Sequence, residues 1–221
     1  MSDRRVTTVA VQECGERLVN IREHGAIQVD LRKQDTDGAF AFLREGVLER
    51  LLHAQTLLPD GTRLLFIEGY RPPALQRRYF EEYADQLRRS NPDWQPEQVR
   101  EAASRFVSPP EIAPHSAGAA VDVTLVDRHG HEMDMGTRVN ASPEESNGAC
   151  YTAASTIDAQ ARANRDTLGR ALSAAGLINY GTEWWHWSWG DRYWALMAQR
   201  PSALYGPVEL PQHRTTAVFE E

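Results

Sequence analysis

Cysteine is scarce in this chain of 221 residues, which contains only Cys14 and Cys150. Two cysteines so far apart do not have the close spacing of a metal-binding motif. A single long-range disulfide remains open, but we expect two free thiols, as is usual in a reducing cytoplasm.

Long apolar runs and basic runs are also missing. The longest apolar stretches, such as residues 64–67, fall far short of the roughly 20 residues needed to span a bilayer. The N-terminal segment MSDRRVTTVAVQECGERLVN lacks the apolar core of a secretory signal, so we expect a cytoplasmic protein. The net charge is −7 and no run of five basic residues occurs, which argues against a nucleic-acid surface.

The composition of the chain is typical of a folded globular protein. Hydrophobic residues make up 41% and charged residues 25%, which excludes wholesale disorder. The chain has no internal repeat or low-complexity linker, so we expect one domain spanning residues 1–221. The sequence does not indicate an oligomeric state.

Apolar periodicity predicts helices and strands in irregular order. Residues 27–31, 63–68 and 119–126 are short, β-branched or apolar segments typical of strands. Helical spacing of apolar residues occurs over residues 41–57, after Pro72 and Pro73, after Pro96, and over residues 157–175. For the last helix we expect a capping box of Ser155 and Asp158, and Gly176 at the C-terminal end. This order indicates an α+β fold with a small central antiparallel sheet flanked by helices.

The densest aromatic stretch carries two residues that a core strand does not need. TEWWHWSWGDRYW, residues 182–194, contains six Trp and Tyr residues, and Glu183 and His186 lie among them. Glutamate is rarely buried without a partner. We interpret the aromatic residues mainly as core and pocket wall rather than as a carbohydrate-stacking platform.

Two histidines and an aspartate have the chemistry of a metal site. APHSAGAAVDVTL places His115 before a strand and Asp122 within it, and His186 would add a second imidazole. Two histidines and one carboxylate can hold a catalytic Zn²⁺ with an open fourth position, and Glu183 could act as general base. The alternative is that Asp122 and His186 are ordinary polar groups at strand edges. The helical HExxH motif is absent, and residues three apart in a strand face opposite sides, so Glu183 must precede the strand or lie in a turn.

Arg71 is the third element, in the motif EGYRP, where a strand ends and a proline-initiated helix begins. A site arginine there could stabilise a tetrahedral oxyanion. From the residues alone, a surface arginine paired with Glu68 is the better explanation of the motif.

Taken together, EGYRP, HSAGAAVDVTL and EWWHW resemble the zinc-dependent D-Ala-D-Ala dipeptidases of the vancomycin-resistance type, within the zinc D,D- and L,D-peptidases that act on peptidoglycan peptides. The resemblance implies their Hedgehog-like α+β fold and one Zn²⁺ per chain. It implies His115, Asp122 and His186 as metal ligands, Glu183 as catalytic base and Arg71 as the residue that stabilises the transition state.

The chain departs from this family around the expected substrate. Ala113 stands where the family usually has a serine, and Lys33 stands where it usually has a tyrosine. Asn140 stands where the dipeptidases have an aspartate that the resemblance implies as a partner of the substrate's ammonium group. The segment between residues 32 and 42 is also shorter. A neutral Asn140 would lose the charge-assisted part of that contact. Asn140, Ser116 and Trp185 are our candidate substrate contacts.

The resulting hypothesis is a zinc peptidase that hydrolyses a short peptide, D-Ala-D-Ala or a related D-residue dipeptide. One alternative is a carboxypeptidase or tailoring amidase on the same scaffold with a larger substrate, which Ala113, Lys33 and Asn140 favour. Another is a non-catalytic binding module, which the presence of both Glu183 and Arg71 disfavours.

Overall fold

The structure is a computed structural model that describes residues 3–33, 35 and 38–210. Its six α-helices and nine strands are, in chain order, α1 (Arg4–Thr8), β1 (Ala10–Val11), β2 (Leu18–Asn20), β3 (Gln28–Val29), β4 (Phe42–Arg44), α2 (Glu45–Thr56), β5 (Arg63–Glu68), α3 (Pro73–Ser90), α4 (Pro96–Ala103), β6 (Ala120–Val126), α5 (Ala159–Ala174), β7 (Ile178–Asn179), β8 (His186–Ser188), α6 (Arg192–Met197) and β9 (Ser202–Ala203).

A five-stranded sheet forms the centre, with the strand order β3-β5-β6-β8-β7. The pairs β5–β6, β6–β8 and β8–β7 are antiparallel, and only the edge pair β3–β5 is parallel. Two further two-stranded sheets pair β1 with β9 and β2 with β4. The α+β class is therefore confirmed, and the predicted antiparallel sheet needs one correction, at its β3 edge.

The main core lies between this sheet and the helices α2 and α5. Every residue of β6 is buried, as expected for a central strand whose sequence AVDVTLV is nearly all apolar. Leu51 of α2 and Leu168 and Leu172 of α5 belong to the same buried cluster as Val121 and Val123 of β6. The sheet is thus packed rigidly from behind, and the polar residues of β6 and β8 are held on a fixed frame.

Two boundaries differ from the sequence-based expectation. The helix predicted from residue 41 begins at Glu45, because residues 42–44 form β4 and pair with β2. The predicted capping box is wrong: Asp158 itself is the N-cap of α5, and its side chain accepts a hydrogen bond from the backbone N–H of Ala161. Gly176 follows the C-cap with a φ of 88°, the left-handed conformation that glycine adopts most easily.

The structure also bears on the two cysteines and on membrane-spanning helices. Cys14 and Cys150 are both free, the first exposed and the second buried. Among the described residues, no helix combines the length and the apolar character needed to cross a bilayer.

Candidate active site

His115 begins a single 3₁₀ turn, residues 115–117, just before β6. Its Nδ1 lies 2.6 Å from the carbonyl oxygen of Gly69. A carbonyl can only accept, so Nδ1 carries the proton and the lone pair of Nε2 is free. Gly118 ends the turn with a φ of 65°, which allows the chain to enter β6 directly. The local fold thus fixes both the position and the tautomer of the imidazole.

Asp122 and His186 are paired directly across two adjacent antiparallel strands. Asp122 on β6 is the register partner of His186 on β8. Side chains opposite each other on one face of such a pair lie within contact distance. Both residues are buried, with relative exposures of 2% and 4%. Sheet register therefore brings together two groups that are 64 positions apart in the sequence.

Three potential ligand atoms converge at this point. His115 Nε2 lies 3.2 Å from His186 Nδ1, and Asp122 Oδ1 lies 3.4 Å and 3.2 Å from these two nitrogens. Among the described residues, Asp122 Oδ1 has no hydrogen bond of acceptable geometry. The same three residues are the one group in this part of the chain that could hold a metal ion. Two imidazoles and a carboxylate that face one another, with an orphaned oxygen between them, fit a Zn²⁺ ion.

The charge state of Asp122 agrees with this fit. Burial raises the pKa of a carboxyl group, but the adjacent imidazoles of His115 and His186 outweigh it and hold the pKa of Asp122 well below its usual value. Asp122 is therefore ionised at neutral pH, as a metal ligand must be.

Glu183 reaches the same site from a turn that precedes β8. Its backbone N–H donates to the carbonyl of Tyr180, and its own carbonyl accepts from the N–H of His186. The side-chain amide of Asn179 also donates to the Glu183 carbonyl. This turn resolves the spacing problem, because Glu183 lies outside the strand and can face the same side as His186.

The Glu183 carboxylate lies beside the three convergent atoms and has a raised pKa. Its Oε2 lies 3.8 Å from His186 Nδ1. Burial raises the pKa of Glu183 to about 7, with the charge of Asp122 adding to the effect and that of His186 opposing it. A carboxyl group with a pKa near neutrality can both accept and return a proton.

Arg71 is held at the edge of the site by a buried carboxylate. Its Nε and one terminal nitrogen donate to the two oxygens of Glu68, at 2.7 Å and 3.0 Å, and its other terminal nitrogen donates to Gln76. Lys33 forms a second ion pair with Glu68. Burial would raise the pKa of Glu68, but these two cations lower it to about 2. Arg71 does pair with Glu68 as the alternative interpretation held, yet it lies in the site and is not on the surface.

These residues line one open cavity with a volume of about 430 Å³. Its lining includes His115, Asp122 and His186 together with Glu183 and Arg71, and residues of α3 form one wall. The remaining lining includes Lys33, Gln76, Tyr79, Glu82, Tyr83, Gln86, Phe106, Val107, Ser108, Ala113, Pro114, Asn140 and Tyr180. The volume is in the range of small-molecule sites.

The three candidate substrate contacts have different surroundings. Asn140 lines the cavity. Ser116 is fully buried, and its hydroxyl donates to the backbone carbonyl of Arg71 at 2.9 Å. Trp185 is 1% exposed and packs edge-on against Trp184 in the core. Neither Ser116 nor Trp185 is among the residues that line the cavity. Ser116 instead contacts the backbone of Arg71, and Trp185 packs in the core.

Sequence reasoning missed the wall that α3 contributes. Gln76, Tyr79 and Tyr83 line the cavity, whereas the apolar spacing after Pro73 predicted only a helix there. Their spacing of three and four places them on one helix face. The other α3 residues that line the cavity, Glu82 and Gln86, are polar, so polar residues at helical spacing beside the tyrosines were the available signal.

Comparisons with known proteins agree with this geometry. A family model described as "D-ala-D-ala dipeptidase" matches residues 22–203. A D-alanyl-D-alanine dipeptidase of Synechocystis sp. is 30% identical over 238 aligned positions, which cover 91% of this chain and 95% of the relative. A D-alanyl-D-alanine dipeptidase of Escherichia coli (strain K12) is 33% identical over 72 positions, 33% of this chain and 35% of that protein.

A solved structure supports the fold. The LdcB LD-carboxypeptidase, described with its peptidoglycan recognition, superposes with a TM-score of 0.50 at 16% identity, covering 85% of this chain and 73% of that chain. The family match spans most of the chain and includes the convergent histidines, the aspartate, the glutamate and the arginine. The chain therefore belongs to the D-Ala-D-Ala dipeptidase family of metallopeptidases.

Proposed function

We propose that this protein is a zinc peptidase that hydrolyses an amide bond in a short peptide containing D-residues, D-Ala-D-Ala or a close relative. The observation that carries the proposal is the convergence of His115 Nε2, Asp122 Oδ1 and His186 Nδ1 beside a buried Glu183. The family membership and the Synechocystis relative support the substrate class.

His115, Asp122 and His186 would hold the metal. A Zn²⁺ ion at this position supplies Lewis acidity, which makes water nucleophilic near neutral pH and polarises a substrate carbonyl. Glu183 accepts the proton of the attacking water and then delivers it to the leaving amine. Its pKa of about 7 suits both transfers, because neither protonation state is strongly preferred.

Arg71 stabilises the negative charge that develops on the carbonyl oxygen. Its guanidinium has five N–H donors, and Glu68 and Gln76 occupy three of them. The remaining donors belong to a side chain that lines the cavity and is 11% exposed. The fixed partners hold the guanidinium in place before the substrate arrives, which is the condition for effective electrostatic stabilisation.

The test is hydrolysis by the zinc-loaded protein of D-Ala-D-Ala, L-Ala-D-Ala, N-acetyl-D-Ala-D-Ala and a longer stem peptide. Each assay is run beside the Glu183→Gln variant. Cleavage of any member by the wild type and its loss in the variant supports the proposal. Zinc bound at the three ligands with no cleavage of any member would overturn it.

A second candidate is a carboxypeptidase or tailoring amidase with a larger substrate. The neutral Asn140 in the cavity wall favours it, because no carboxylate at that position pairs with a free N-terminal ammonium. Cleavage of only the acylated or longer members of the panel would select this function over the dipeptidase.

A further inference from the structure

Glu68 is a buried carboxylate that lies opposite a second buried carboxylate. On the antiparallel strands β5 and β6 it is the register partner of Asp122, and the two residues are 0% and 2% exposed. Like charges that face each other across a strand pair repel, and burial strengthens the repulsion. Arg71 is ion-paired with Glu68 and also interacts electrostatically with Asp122, so its cation lies beside two anions.

Arg71 alone does not give this group of charges an excess of positive charge. Its Nε and one terminal nitrogen donate to the two oxygens of Glu68, so the pair of Arg71 and Glu68 has no net charge. A neutral pair attracts the oxyanion of a reacting amide less than an isolated guanidinium does, because the field of the carboxylate opposes that of the cation. A second cation at Glu68 would restore the field of Arg71.

Lys33 supplies that second cation. Its ammonium donates to Glu68 Oε2, the oxygen that also accepts from Arg71, and hydrogen-bond lengths place the two donor nitrogens within roughly 6 Å of each other. The ammonium also lies 5.5 Å from the centre of the Phe40 ring. Among the described residues that line the cavity, Lys33 and Arg71 are the only lysine and arginine. The Lys33 charge is thus directed at the buried carboxylate that holds Arg71.

We propose that Lys33 is a positioning residue that acts through Glu68 on Arg71. By sharing the carboxylate, Lys33 balances the charge of Glu68 and fixes the oxygen that holds the guanidinium, so Arg71 meets the developing oxyanion with a net positive charge. This inference rests on the proposed peptidase function, and it gives Lys33 no contact with the substrate. Its effect therefore falls on turnover, and it is the same for every substrate that the enzyme cleaves.

The first test separates kcat from KM. In Lys33→Met, which keeps the stem of the side chain and loses the charge, we expect kcat to fall by about tenfold to a hundredfold for every cleaved peptide, with KM within about twofold of the wild type. Lys33→Arg keeps the charge and should stay within about threefold of the wild-type kcat. Arg32→Met removes an exposed cation one residue away and should leave kcat unchanged.

Three kinetic results contradict the inference. The first is a wild-type kcat in Lys33→Met. The second is an equal loss of kcat in Lys33→Met and Lys33→Arg, because the charge is then not responsible. The third is a higher KM at unchanged kcat, which would mean that Lys33 binds the substrate directly.

Chemical modification repeats the comparison on the folded wild-type protein, because Lys33 is the only lysine in the chain. Reductive dimethylation keeps the positive charge of the amine, whereas acetylation removes it. We expect the acetylated protein to lose kcat as Lys33→Met does, and the dimethylated protein to keep it. Lys33→Arg treated with the same reagents controls for modification of the N-terminal amine and should keep its kcat. Equal losses in the two modified wild-type proteins overturn the role of the charge.

A further test does not depend on cleavage. In the metal-free protein, NMR follows the Nε–H proton of Arg71, which donates to Glu68 Oε1 and is assigned by its absence from Arg71→Met. Loss of Lys33 leaves the carboxylate to Arg71 alone, so we expect exchange of this proton with water to slow by about threefold or more in Lys33→Met. Arg32→Met should show the wild-type rate.

The direction of the change in exchange rate distinguishes this role from a structural one. Local loosening of the chain after β3 would speed the exchange, so a faster or unchanged rate in Lys33→Met overturns the inference. The proposed function fails separately, if the wild type cleaves no member of the peptide panel. In that case the exchange rate alone decides whether Lys33 acts through Glu68 on Arg71.

Discussion

Glu183 illustrates how burial converts an ordinary side chain into a catalytic candidate. It is 8% exposed, and its pKa of about 7 results mainly from the loss of water around the carboxylate. The neighbouring indoles of Trp184 and Trp185 are themselves buried. Burial of these indoles agrees with the interpretation of the aromatic stretch as core and pocket wall, which keeps water away from the Glu183 carboxylate.

We expect Glu183→Gln to lower kcat by on the order of 10²- to 10⁴-fold, because the amide cannot accept a proton. The metal content should stay at the wild-type value, since Glu183 is not one of the three convergent ligands. Steady-state kinetics and metal analysis of the purified variant check both statements. Glu101→Gln, an exposed carboxylate paired with Arg105 on the surface, is the control for the substitution. Loss of metal from Glu183→Gln would contradict the role as base.

Asn140 offers a gain-of-function prediction. Asn140→Asp restores a negative charge in the cavity wall, and we expect about tenfold higher kcat/KM for free D-Ala-D-Ala over its N-acetylated form, relative to the wild-type ratio. The φ of Asn140 is 60°, which aspartate tolerates nearly as well as asparagine. The measurement is competition between the two substrates.

Asn147→Asp is the matched control for this change. Asn147 has a φ of 48° and is exposed outside the cavity lining, so it adds the same charge on a similar backbone. An equal change in the substrate ratio for both variants would mean that net charge, and not an ammonium contact at residue 140, is responsible.

At the scale of elements, the turn after β5 connects the sheet to His115 of the candidate metal site. The N–H of Gly69 donates to Phe40 at 2.8 Å, and its carbonyl accepts from His115. A Cβ at residue 69 would lie 2.3 Å from the backbone oxygen of Phe42 and 2.9 Å from the ring of Phe66. This turn is therefore too close to β4 for any side chain.

We expect Gly69→Ala to lower the free energy of unfolding by about 1–3 kcal/mol or more through overpacking. It should also weaken zinc binding, because the displaced carbonyl no longer fixes the Nδ1 proton of His115. Urea unfolding and zinc titration with a competing chelator measure the two effects. Gly181→Ala is the control, since a Cβ there meets no atom within 4 Å. Wild-type zinc affinity in a destabilised Gly69→Ala would separate the turn from the metal site.

The N-cap of α6 gives a pH-dependent prediction. Asp191 accepts a hydrogen bond from the N–H of Trp194 at 2.6 Å, and among the described residues its other oxygen has no partner. Burial raises the pKa of Asp191 to about 6 from 3.8. A raised carboxyl pKa means that the folded state is destabilised once the group ionises, so stability is lost as the pH rises from 3.8 to about 6.

We expect Asp191→Asn to keep the cap and to remove this loss. The variant should gain stability over the wild type as the pH rises through this window, reaching about 3 kcal/mol above it. Chemical unfolding of the metal-free proteins at several pH values gives the difference curve. Asp158→Asn, the same change at the exposed cap of α5, is the control. A flat difference curve for Asp191→Asn would show that its carboxyl group is not destabilised by burial.

Helices and strands were predictable where residues close in the sequence determine them, and were missed where contacts with distant residues determine them. The strands β5 and β6 and the helices α3 and α4 were predicted because apolar periodicity and prolines are local signals. The strand β4 was missed because its residues continue a helical pattern, and only pairing with β2 makes them extended. The candidate residues Arg71, His115, Asp122, Glu183 and His186 were singled out by their chemistry and assigned roles through the family resemblance. Their convergence depends on the strand order β5-β6-β8, which local patterns do not encode.

At the scale of the whole molecule, the site joins segments that are distant in the sequence. His115 comes from the turn before β6, Asp122 from β6 itself, His186 from β8, and the Gly69 carbonyl behind His115 from the turn after β5. The three convergent atoms thus come from two adjacent strands, β6 and β8, and from the turn before β6, which contacts the turn after β5. An ion held there binds the folded arrangement and has little affinity for the unfolded chain, so its binding energy adds to the stability of the fold.

We therefore expect zinc to raise the melting temperature of the chelator-treated protein. At a free zinc concentration of about 100 times Kd, the gain is about 2.7 kcal/mol, which corresponds to roughly 5–10 °C for a chain of this size. Calorimetry during zinc titration measures this increase in melting temperature.

The shift should disappear in His115→Ala and His186→Ala and persist in Glu183→Gln, since only the first two remove ligand atoms. A His129→Ala/His131→Ala variant, which removes two histidines of the loop after β6, controls for adventitious binding and should keep the full shift. A shift that survives in both ligand variants would place the stabilising ion elsewhere and would contradict the site at β6 and β8.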